Sequence, residues 1–303
     1  MKPAPVALFV YKRPEHTQKV LESLQKNSMA KETDIFIYCD GPKNKEDREK
    51  IDQVTQLFNG VKGFSSITLR TNPVNKGLAG SIIDGVSERL RYSDKIIVLE
   101  DDIVTSKYFL EYMNKALYLY EKKEEVISIH GYVYPGIKNL PESFFLRGAD
   151  CWGWGTWRRG WDIFEPDGEK LLKQLQESDD LNDFSFNNSY PYLQMLKDQI
   201  SGKNNSWAIR WYASAFLKQK LTLYPGRSLV KNIGFDGSGT HCGIDGTLKC
   251  DFNDQEFINL KKIECIENKD ARRKFEQYFN SNNKRRLFQK LKDFIKVISI
   301  KAV

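Results

Sequence analysis

The chain has 303 residues and a net charge of +7, with 40% hydrophobic and 13% aromatic residues. This length and composition suit one large domain or two modest ones with a packed core. No apolar stretch approaches the roughly 20 residues that a membrane-spanning helix needs. Residues 1–5 lack a signal-peptide pattern and lead into an apolar run. We therefore expect a cytoplasmic protein whose five cysteines, which form no Cys-x-x-Cys pair, stay reduced.

Positive charge is concentrated at the end of the chain. Residues 284–303 contain seven Lys or Arg and one Asp, so the remainder is nearly neutral. A neutral body argues against a nucleic-acid partner, which would be bound by a basic face. In this tail, Leu287, Leu291, Phe294 and Ile298 recur with helical spacing among basic residues. The pattern predicts a basic amphipathic helix that contacts the anionic inner face of the cytoplasmic membrane, the alternative being a helix docked on the body.

Short apolar runs alternate with amphipathic segments through the first 130 residues. The predicted strands are Val6–Val10, Ile35–Cys39, Ile67–Arg70, Ile96–Leu99 and Val126–Ile129. The predicted helices cover residues 17–24, 45–58, 77–89 and 107–122. Continuous apolar strands that alternate with helices indicate an α/β fold with a mainly parallel sheet flanked by helices.

The character of the chain changes after residue 130, where aromatic residues and glycine dominate. Trp152, Trp154 and Trp157 lie in the run Cys-Trp-Gly-Trp-Gly-Thr-Trp. Because glycine packs poorly and bends the chain, we expect a loop whose indole faces bind a sugar ring, with core packing as an equal alternative. Farther on, residues 207–220 predict a helix, residues 221–224 a strand and residues 232–241 a flexible loop.

Three consecutive carboxylates, Glu100, Asp101 and Asp102, close the apolar strand 96–99. Such groups repel one another unless a positive charge lies among them. A divalent cation shared with a diphosphate would supply that charge, since hard cations take oxygen ligands and retain substrate phosphates. A solvated acidic turn is the alternative, which the position after a buried strand disfavours.

Ligands in open α/β sheets bind outside the carboxyl ends of the strands. Residues 11–13, Asp40 and the triplet 100–102 all follow predicted strands. We therefore expect these three polar clusters to converge on one crevice, in which Tyr11 and Arg13 bind the ligand beside Asp40.

This constellation resembles that of the GT-A nucleotide-sugar glycosyltransferases. Residues 96–129 are similar to the N-acetylglucosaminyltransferase I family, in which an Ile/Val-rich strand also leads to Glu-Asp-Asp and a helix containing Phe-Glu-Tyr. The chain resembles bacterial sugar transferases of capsule and lipopolysaccharide clusters still more closely. The resemblance covers residues 5–165 well and the remainder loosely.

The resemblance implies a role for each matching residue. Arg13 and Asp40 would contact the nucleotide, Asp40 through the uracil, and Ser81 would contact the donor. Glu100 would face the donor sugar in the catalytic site, Asp101 would bind the ribose, and Asp102 would ligate Mn²⁺ or Mg²⁺.

The general base of that family lies in a Trp-Asp-Asp-Trp motif. Its best counterpart here, residues 207–211, contains no carboxylate. Asp150 is the candidate base, since it precedes the Trp-Gly run, with Asp162 and Asp236 after it; a retaining mechanism stays open. His241, in the glycine-rich loop, is a candidate second metal ligand or diphosphate contact.

The sequence thus predicts a metal-dependent glycosyltransferase that uses a nucleotide sugar, a UDP-sugar in particular, and a glycan or lipid-linked glycan acceptor in surface polysaccharide synthesis. Residues 1–130 would bind the nucleotide sugar, 131–260 would bind the acceptor and complete catalysis, and 261–303 would form C-terminal helices. The alternatives are a nucleotidyltransferase, which would need a glycine-rich phosphate loop after the first strand, and a non-catalytic carbohydrate-binding protein.

Overall fold

The computed structural model describes residues 2–237 and 257–284. The strands are β1 (Val6–Val10), β2 (Asp34–Cys39), β3 (Ser66–Thr71), β4 (Lys95–Glu100), β5 (Ile103–Thr105), β6 (Val126–His130), β7 (Ser143–Arg147), β8 (Trp154–Trp157), β9 (Leu221–Pro225) and β10 (Val230–Asn232). The helices are α1 (Pro14–Gln25), α2 (Lys45–Gln56), α3 (Gly77–Leu90), α4 (Phe109–Leu119), α5 (Arg158–Trp161), α6 (Gly168–Gln176), α7 (Leu181–Phe184), α8 (Tyr192–Ile200), α9 (Trp207–Leu217) and α10 (269–284).

Within the described residues, eight strands form one sheet in the order β3-β2-β1-β4-β8-β6-β9-β7. Strands β3, β2, β1 and β4 are parallel, and β6 pairs in parallel with β9. Strand β8 runs antiparallel to both β4 and β6, and β7 runs antiparallel to β9. The predicted fold class is confirmed: the protein has an α/β, Rossmann-like architecture with a mainly parallel sheet flanked by helices.

Apolar side chains cover both faces of this sheet, because successive residues of a strand point to opposite sides. In β1, Leu8 packs into one core with α1, α2 and α4, whereas Phe9 packs into a second core with α3 and α9. A third apolar cluster joins α6, α8 and α9 to β7 and α10. Most of the strands are therefore continuous apolar runs, and polar residues follow at their carboxyl ends.

Strand β8 corrects the expectation of a loop at the Trp-Gly run. It lies in the centre of the sheet, where Trp154 is paired with His130 of β6 and Val98 of β4. Gly155 makes this possible, because a Cβ atom there would come within 3.0 Å of the Ile96 carbonyl oxygen and the Met113 side chain. Glycine here permits close packing of a strand against α4 and does not mark a bend.

Strand β10 ends at Asn232, where the expected flexible loop of residues 232–241 begins. It pairs antiparallel with β5, apart from the main sheet, with Asn232 opposite Ile103. This pairing brings the chain after residue 230 back over the turn that follows β4. None of the helices in the described part of the chain is long and apolar enough to cross a membrane.

Candidate active site

Arg13 lies at the carboxyl end of β1 and faces the acidic turn after β4. Pro14 begins α1 and restricts the backbone at this point. Arg13 Nη2 donates to Asp101 Oδ1 and, at 3.1 Å, to Asp102 Oδ2. The Tyr11 backbone amide also donates to Asp101, with 3.3 Å between nitrogen and Oδ2. The structure thus brings together the ends of β1 and β4, and the end of β2 adjoins that of β1, since the Asp40 amide donates to the Val10 carbonyl at 3.1 Å.

In the acidic turn, defined here as Glu100, Asp101 and Asp102, the two aspartates contact the Arg13 guanidinium. Burial, followed by the charges of Asp102 and Asp101, raises the pKa of Glu100 well above its ordinary value of 4.5. Burial also raises the pKa of Asp102, although Arg13 opposes this shift. Several carboxyl groups beside one guanidinium resist ionisation together, and a further cation would favour their charged forms.

The carboxylate oxygens of the acidic turn fit a hard divalent cation such as Mn²⁺ or Mg²⁺. Within residues 2–237 and 257–284, no group of three or more His, Cys, Asp or Glu side chains is arranged to hold a metal ion. Asp102 would therefore hold the cation together with phosphate oxygens of a substrate. His241, the other expected ligand, lies outside the described residues.

The segment 232–236 covers the acidic turn. The Ile233 amide donates to the Asp102 carbonyl at 2.8 Å, and a Cβ atom on Gly234 would come within 2.4 Å of Asp102 Oδ2. His16 Nε2, on α1, lies 3.1 Å from Asp236 Oδ2. Sequence analysis missed these contacts because they depend on the β5–β10 pairing, which has no strong apolar pattern.

Asp40 lies at the end of β2, where its buried carboxylate accepts several hydrogen bonds from the loop before α3. The donors are the amides of Gly41 at 2.9 Å, Lys76 at 2.9 Å and Gly77 at 2.8 Å, and Asn75 Nδ2 at 3.0 Å. Asp40 thus fixes this loop and the first turn of α3. Its expected contact with the uracil stays a prediction.

Ser81 lies in α3, close behind the loop that Asp40 fixes. The Ser81 hydroxyl is buried, and it has no hydrogen-bond partner among the described residues. A buried polar group without a partner costs free energy, so such groups often serve a ligand. The expected donor contact of Ser81 stays a prediction.

Asp47, in the first turn of α2, is a polar residue that sequence analysis missed. Its Oδ2 accepts from the Tyr11 hydroxyl at 2.7 Å, and its Oδ1 accepts from Lys12 Nζ at 2.7 Å. Asn44 caps α2 by accepting from the Asp47 amide at 2.8 Å. The Asn-x-x-Asp spacing of a helix start was the signal that could have located Asp47. Through Asp47, the Tyr11 ring is held at the end of β1.

Asp150 faces inward from the turn before β8. Its Oδ1 accepts from the Cys151 amide at 2.8 Å, and burial followed by the charge of Asp150 raises the pKa of Tyr224. Asp150 Oδ2 lies 3.6 Å from Nε2 of His130, whose side chain is 0% exposed, while that of Asp150 is 22% exposed. Burial lowers the pKa of His130 despite the opposing charge of Asp150. The Asp150 carboxylate therefore lies beside a buried imidazole and is still partly exposed to solvent.

Cys151 follows Asp150 in the turn before β8. Burial raises the pKa of the Cys151 thiol, and the charges of Asp150, Glu100 and Asp102 raise it further, in that order. Because β8 runs antiparallel to β4, with Trp154 opposite Val98, the turn before β8 lies beside the acidic turn at the carboxyl end of β4. The candidate base and the candidate metal ligand therefore face one region of the protein.

The tryptophans expected to bind an acceptor sugar differ in exposure, and the structure corrects this expectation for two of them. Trp154 is completely buried, and its ring stacks on Trp207 with centroids 5.4 Å apart. Trp157 is also buried, and its Nε1 donates to the Leu117 carbonyl at 3.1 Å. Both belong to strand β8 and cannot present a face to a ligand. Trp152 alone of the three is partly exposed.

Helix α9 occupies the position at which the resemblance would place the general base. Arg210 is buried there, donating to the Pro166 carbonyl at 3.1 Å and the Ser206 carbonyl at 3.2 Å. Trp207 and Trp211 pack into the core with Trp154. This helix supplies packing, fixes the loop at residue 166 and carries no carboxylate between residues 207 and 211.

No protein-family model matches the chain, and no curated protein matches it. Among solved structures, the mannosyltransferase PcManGT of Pyrobaculum calidifontis, in complex with GDP-Man and Mn²⁺, is 8% identical, with a TM-score of 0.38 over 72% of this chain and 70% of that one. S. aureus TarS is 14% identical, with a TM-score of 0.30 over 48% of this chain and 24% of its own length. A UDP-glucose pyrophosphorylase complexed with UDP-glucose is 12% identical, with a TM-score of 0.37 over 75% and 92%. At these identities and scores the likenesses assign neither a family nor an activity to this chain.

Proposed function

We propose that this protein is a metal-dependent glycosyltransferase that moves a sugar from a nucleotide sugar, specifically a UDP-sugar, to a hydroxyl group of a glycan. The carrying observation is the pairing of Arg13 with Asp101 and Asp102 at the carboxyl ends of β1 and β4, beside a second acidic group, Asp150. This arrangement offers a cation and two sets of carboxylates in one place, which suits a diphosphate leaving group and an acceptor hydroxyl.

On the donor side, Arg13 binds the diphosphate and Asp102 holds the divalent cation. Asp101 takes the ribose hydroxyls, Glu100 faces the donor sugar, and Tyr11, fixed by its hydrogen bond to Asp47, lies beside the nucleotide. When bound, the cation would neutralise charge on the leaving diphosphate.

On the acceptor side, Asp150 is the proposed base. The acceptor oxygen bonds to the anomeric carbon as the bond from that carbon to the diphosphate oxygen breaks. Asp150 takes the hydroxyl proton, and the nucleoside diphosphate leaves with the electron pair. The hydrogen bond from the Cys151 amide orients the carboxylate for this transfer.

The two alternative functions receive less support. A nucleotidyltransferase would want a glycine-rich phosphate loop after β1, where this chain has Tyr-Lys-Arg-Pro. A carbohydrate-binding protein built on the tryptophan run would need exposed indoles, but Trp154 and Trp157 are buried.

We infer a lipid-linked glycan acceptor from the basic tail 284–303, of which only Lys284 lies within the described residues. Deletion of residues 285–303 should release the protein from vesicles containing anionic lipid while preserving activity on a soluble acceptor. Unchanged co-sedimentation with the vesicles would contradict this inference.

A thermal-shift panel of nucleotide sugars, with and without Mn²⁺, tests the proposed function. At a concentration of 100 times Kd, a ligand stabilises the folded protein by about 2.7 kcal/mol. One UDP-sugar should raise Tm, and Mn²⁺ should enlarge that shift, whereas the matching sugar 1-phosphate should not. The proposal falls if no nucleotide sugar changes Tm under either condition.

A further inference from the structure

A continuous row of aromatic rings lies beside Asp150, and the proposed donor site uses none of it. We call this row the aromatic arc. Its rings are, in order of contact, Trp152, Tyr132, Tyr134, Phe279, Tyr190 and Tyr192. The centroids of successive rings are 4.6, 5.3, 5.1, 4.6 and 4.4 Å apart. The arc thus joins the turn before β8, the chain after β6, helix α10 and the start of α8.

The Asp150 carboxylate lies beside the arc, since its Oδ2 is 3.6 Å from Nε2 of His130, whose ring contacts that of Tyr132 with centroids 6.3 Å apart. One end, Trp152, is two residues from Asp150 in the chain. At the other end, burial and then the charge of Asp150 raise the pKa of Tyr192. In the middle, burial, then the neighbouring tyrosines Tyr190 and Tyr192, and then Asp150 raise the pKa of Tyr134. The negative charge of Asp150 therefore acts on the phenol groups of Tyr134 and Tyr192, as it does on that of Tyr224.

Several members of the arc reach solvent. Trp152, Tyr134, Tyr190 and Tyr192 are partly exposed, whereas Tyr132 and Phe279 are buried behind them. The Asp150 side chain is also partly exposed. Part of the arc and the Asp150 carboxylate are thus open to solvent.

The arc also adjoins the proposed donor site. Trp152 contacts Phe235, with ring centroids 5.6 Å apart, and Phe235 belongs to the segment that covers Asp102. A ligand on the arc would lie next to the acidic turn.

We propose that the aromatic arc and Asp150 form the binding site for an uncharged pyranose ring, the terminal sugar of the acceptor. This inference rests on the proposed glycosyltransferase function. Aromatic faces pack against the C–H face of a pyranose, and a few polar groups fix its orientation. The carboxyl groups of Asp150 and the acidic turn would repel a uronic acid, so the site should select a neutral sugar.

The test is saturation-transfer NMR on the full-length protein with UDP and Mn²⁺ present. The probes are the neutral methyl glycosides of glucose, galactose, mannose and N-acetylglucosamine, with methyl glucuronoside as the charged match. Tyr134→Phe and Tyr192→Phe each remove one hydroxyl and keep the ring, so the fold is preserved. Tyr118→Phe, on the exposed surface of α4, is the control. Calorimetry with UDP-glucose is run on every protein.

At least one neutral glycoside should bind, and methyl glucuronoside should bind at least about fivefold more weakly than its glucose counterpart. Each of the two arc variants should weaken binding about 2- to 10-fold, as expected for one lost hydrogen bond, and the control should not. The inference is overturned if no neutral glycoside binds, if both arc variants bind like wild type, or if the glucuronoside binds equally well.

The two proposals fail in different ways. If the arc variants weaken glycoside binding but the protein binds neither UDP-glucose nor another nucleotide sugar, the sugar-site proposal stands and the transferase proposal fails. If the protein binds a nucleotide sugar but neither tyrosine substitution changes its affinity for glycosides, the transferase proposal stands and the proposal for the arc fails.

Discussion

The Arg13 guanidinium lies between two adjacent carboxylates, donating to Asp101 and, at 3.1 Å, to Asp102. All three side chains are largely buried, with exposed fractions of 19% for Arg13, 6% for Asp101 and 10% for Asp102. A buried ion pair contributes little net stability, but removing one partner strands the other charges. Arg13 therefore serves the fold as well as the proposed diphosphate contact.

The first prediction concerns this pairing. Arg13→Ala should lower the free energy of unfolding by about 3 kcal/mol, because the acidic turn loses its counter-charge. Mn²⁺ should recover part of that loss, and should stabilise the variant more than wild type. Urea denaturation with and without Mn²⁺ measures both effects. Lys12→Ala, which removes the neighbouring cation paired with Asp47, is the control. Equal stabilisation of both variants by Mn²⁺ would mean that the cation binds elsewhere.

The second prediction separates two roles of Asp40. Asp40→Ala leaves the amides of Lys76 and Gly77 without their acceptor, so the free energy of unfolding should fall by about 2–4 kcal/mol. Asp40→Asn retains an acceptor oxygen and should cost less. Calorimetry with UDP on both folded variants then reports the nucleotide contact. Wild-type stability in Asp40→Ala would contradict the structural role described here.

The third prediction compares two tryptophans of the same run. Trp154→Leu should destabilise the protein by about 3 kcal/mol, since it empties a fully buried site between Trp207 and Trp211. Trp152→Leu should change stability far less and instead weaken binding of neutral glycosides. Thermal unfolding and glycoside titration of both proteins give the comparison. The account fails here if Trp152→Leu is the more destabilising change.

The fourth prediction is a pH dependence that comes from His130. Burial lowers the pKa of His130 in the folded protein below its ordinary value of 6.5. The unfolded chain therefore takes up a proton on this residue below about pH 6.5 while the folded protein does not. Stability must fall as the pH drops through this window, by no more than about 1.4 kcal/mol per pH unit.

His130→Gln removes this contribution, so the difference between wild-type and variant stability should change with pH between pH 7 and 5. Groups common to both proteins cancel in that difference. Urea denaturation across the range provides the data. A difference that stays constant with pH would show that His130 titrates normally.

Much of the fold could be predicted because β1, β2, β4, β6 and β9 are short, mainly apolar runs, and a buried strand has that pattern. Strand β3 was also predicted, although it lies at the edge of the sheet with most of its residues exposed. Strands β5, β7, β8 and β10 were missed. These strands are short or contain glycine and polar residues. Their formation depends on pairing with strands that are distant in the sequence. Strand β8 is the clearest case, because Gly155 looks like a loop residue until the close approach of Ile96 is seen.

Only some residues of the candidate site could likewise be predicted from the sequence. Arg13, Asp101 and Asp102 could be predicted to meet because parallel strands carry their carboxyl ends to one edge. His130 and Gly234 could not, since their roles come from contacts with Asp150 and Asp102 that span 20 and 132 residues of sequence. The sequence did not distinguish the buried tryptophans from the partly exposed one, because the burial of an indole depends on the packing around it and not on residue type.

The measurement that tests the central claim most directly is release of UDP from the UDP-sugar that stabilises the protein, with Mn²⁺ and with EDTA. Wild type should release UDP only with Mn²⁺. Asp102→Asn should reduce the rate by about 10²–10³-fold, the usual effect of losing a group that stabilises charge on a leaving group, and should keep the wild-type circular dichroism spectrum. Near-normal release by wild type in EDTA, or by Asp102→Asn with Mn²⁺, would contradict the account.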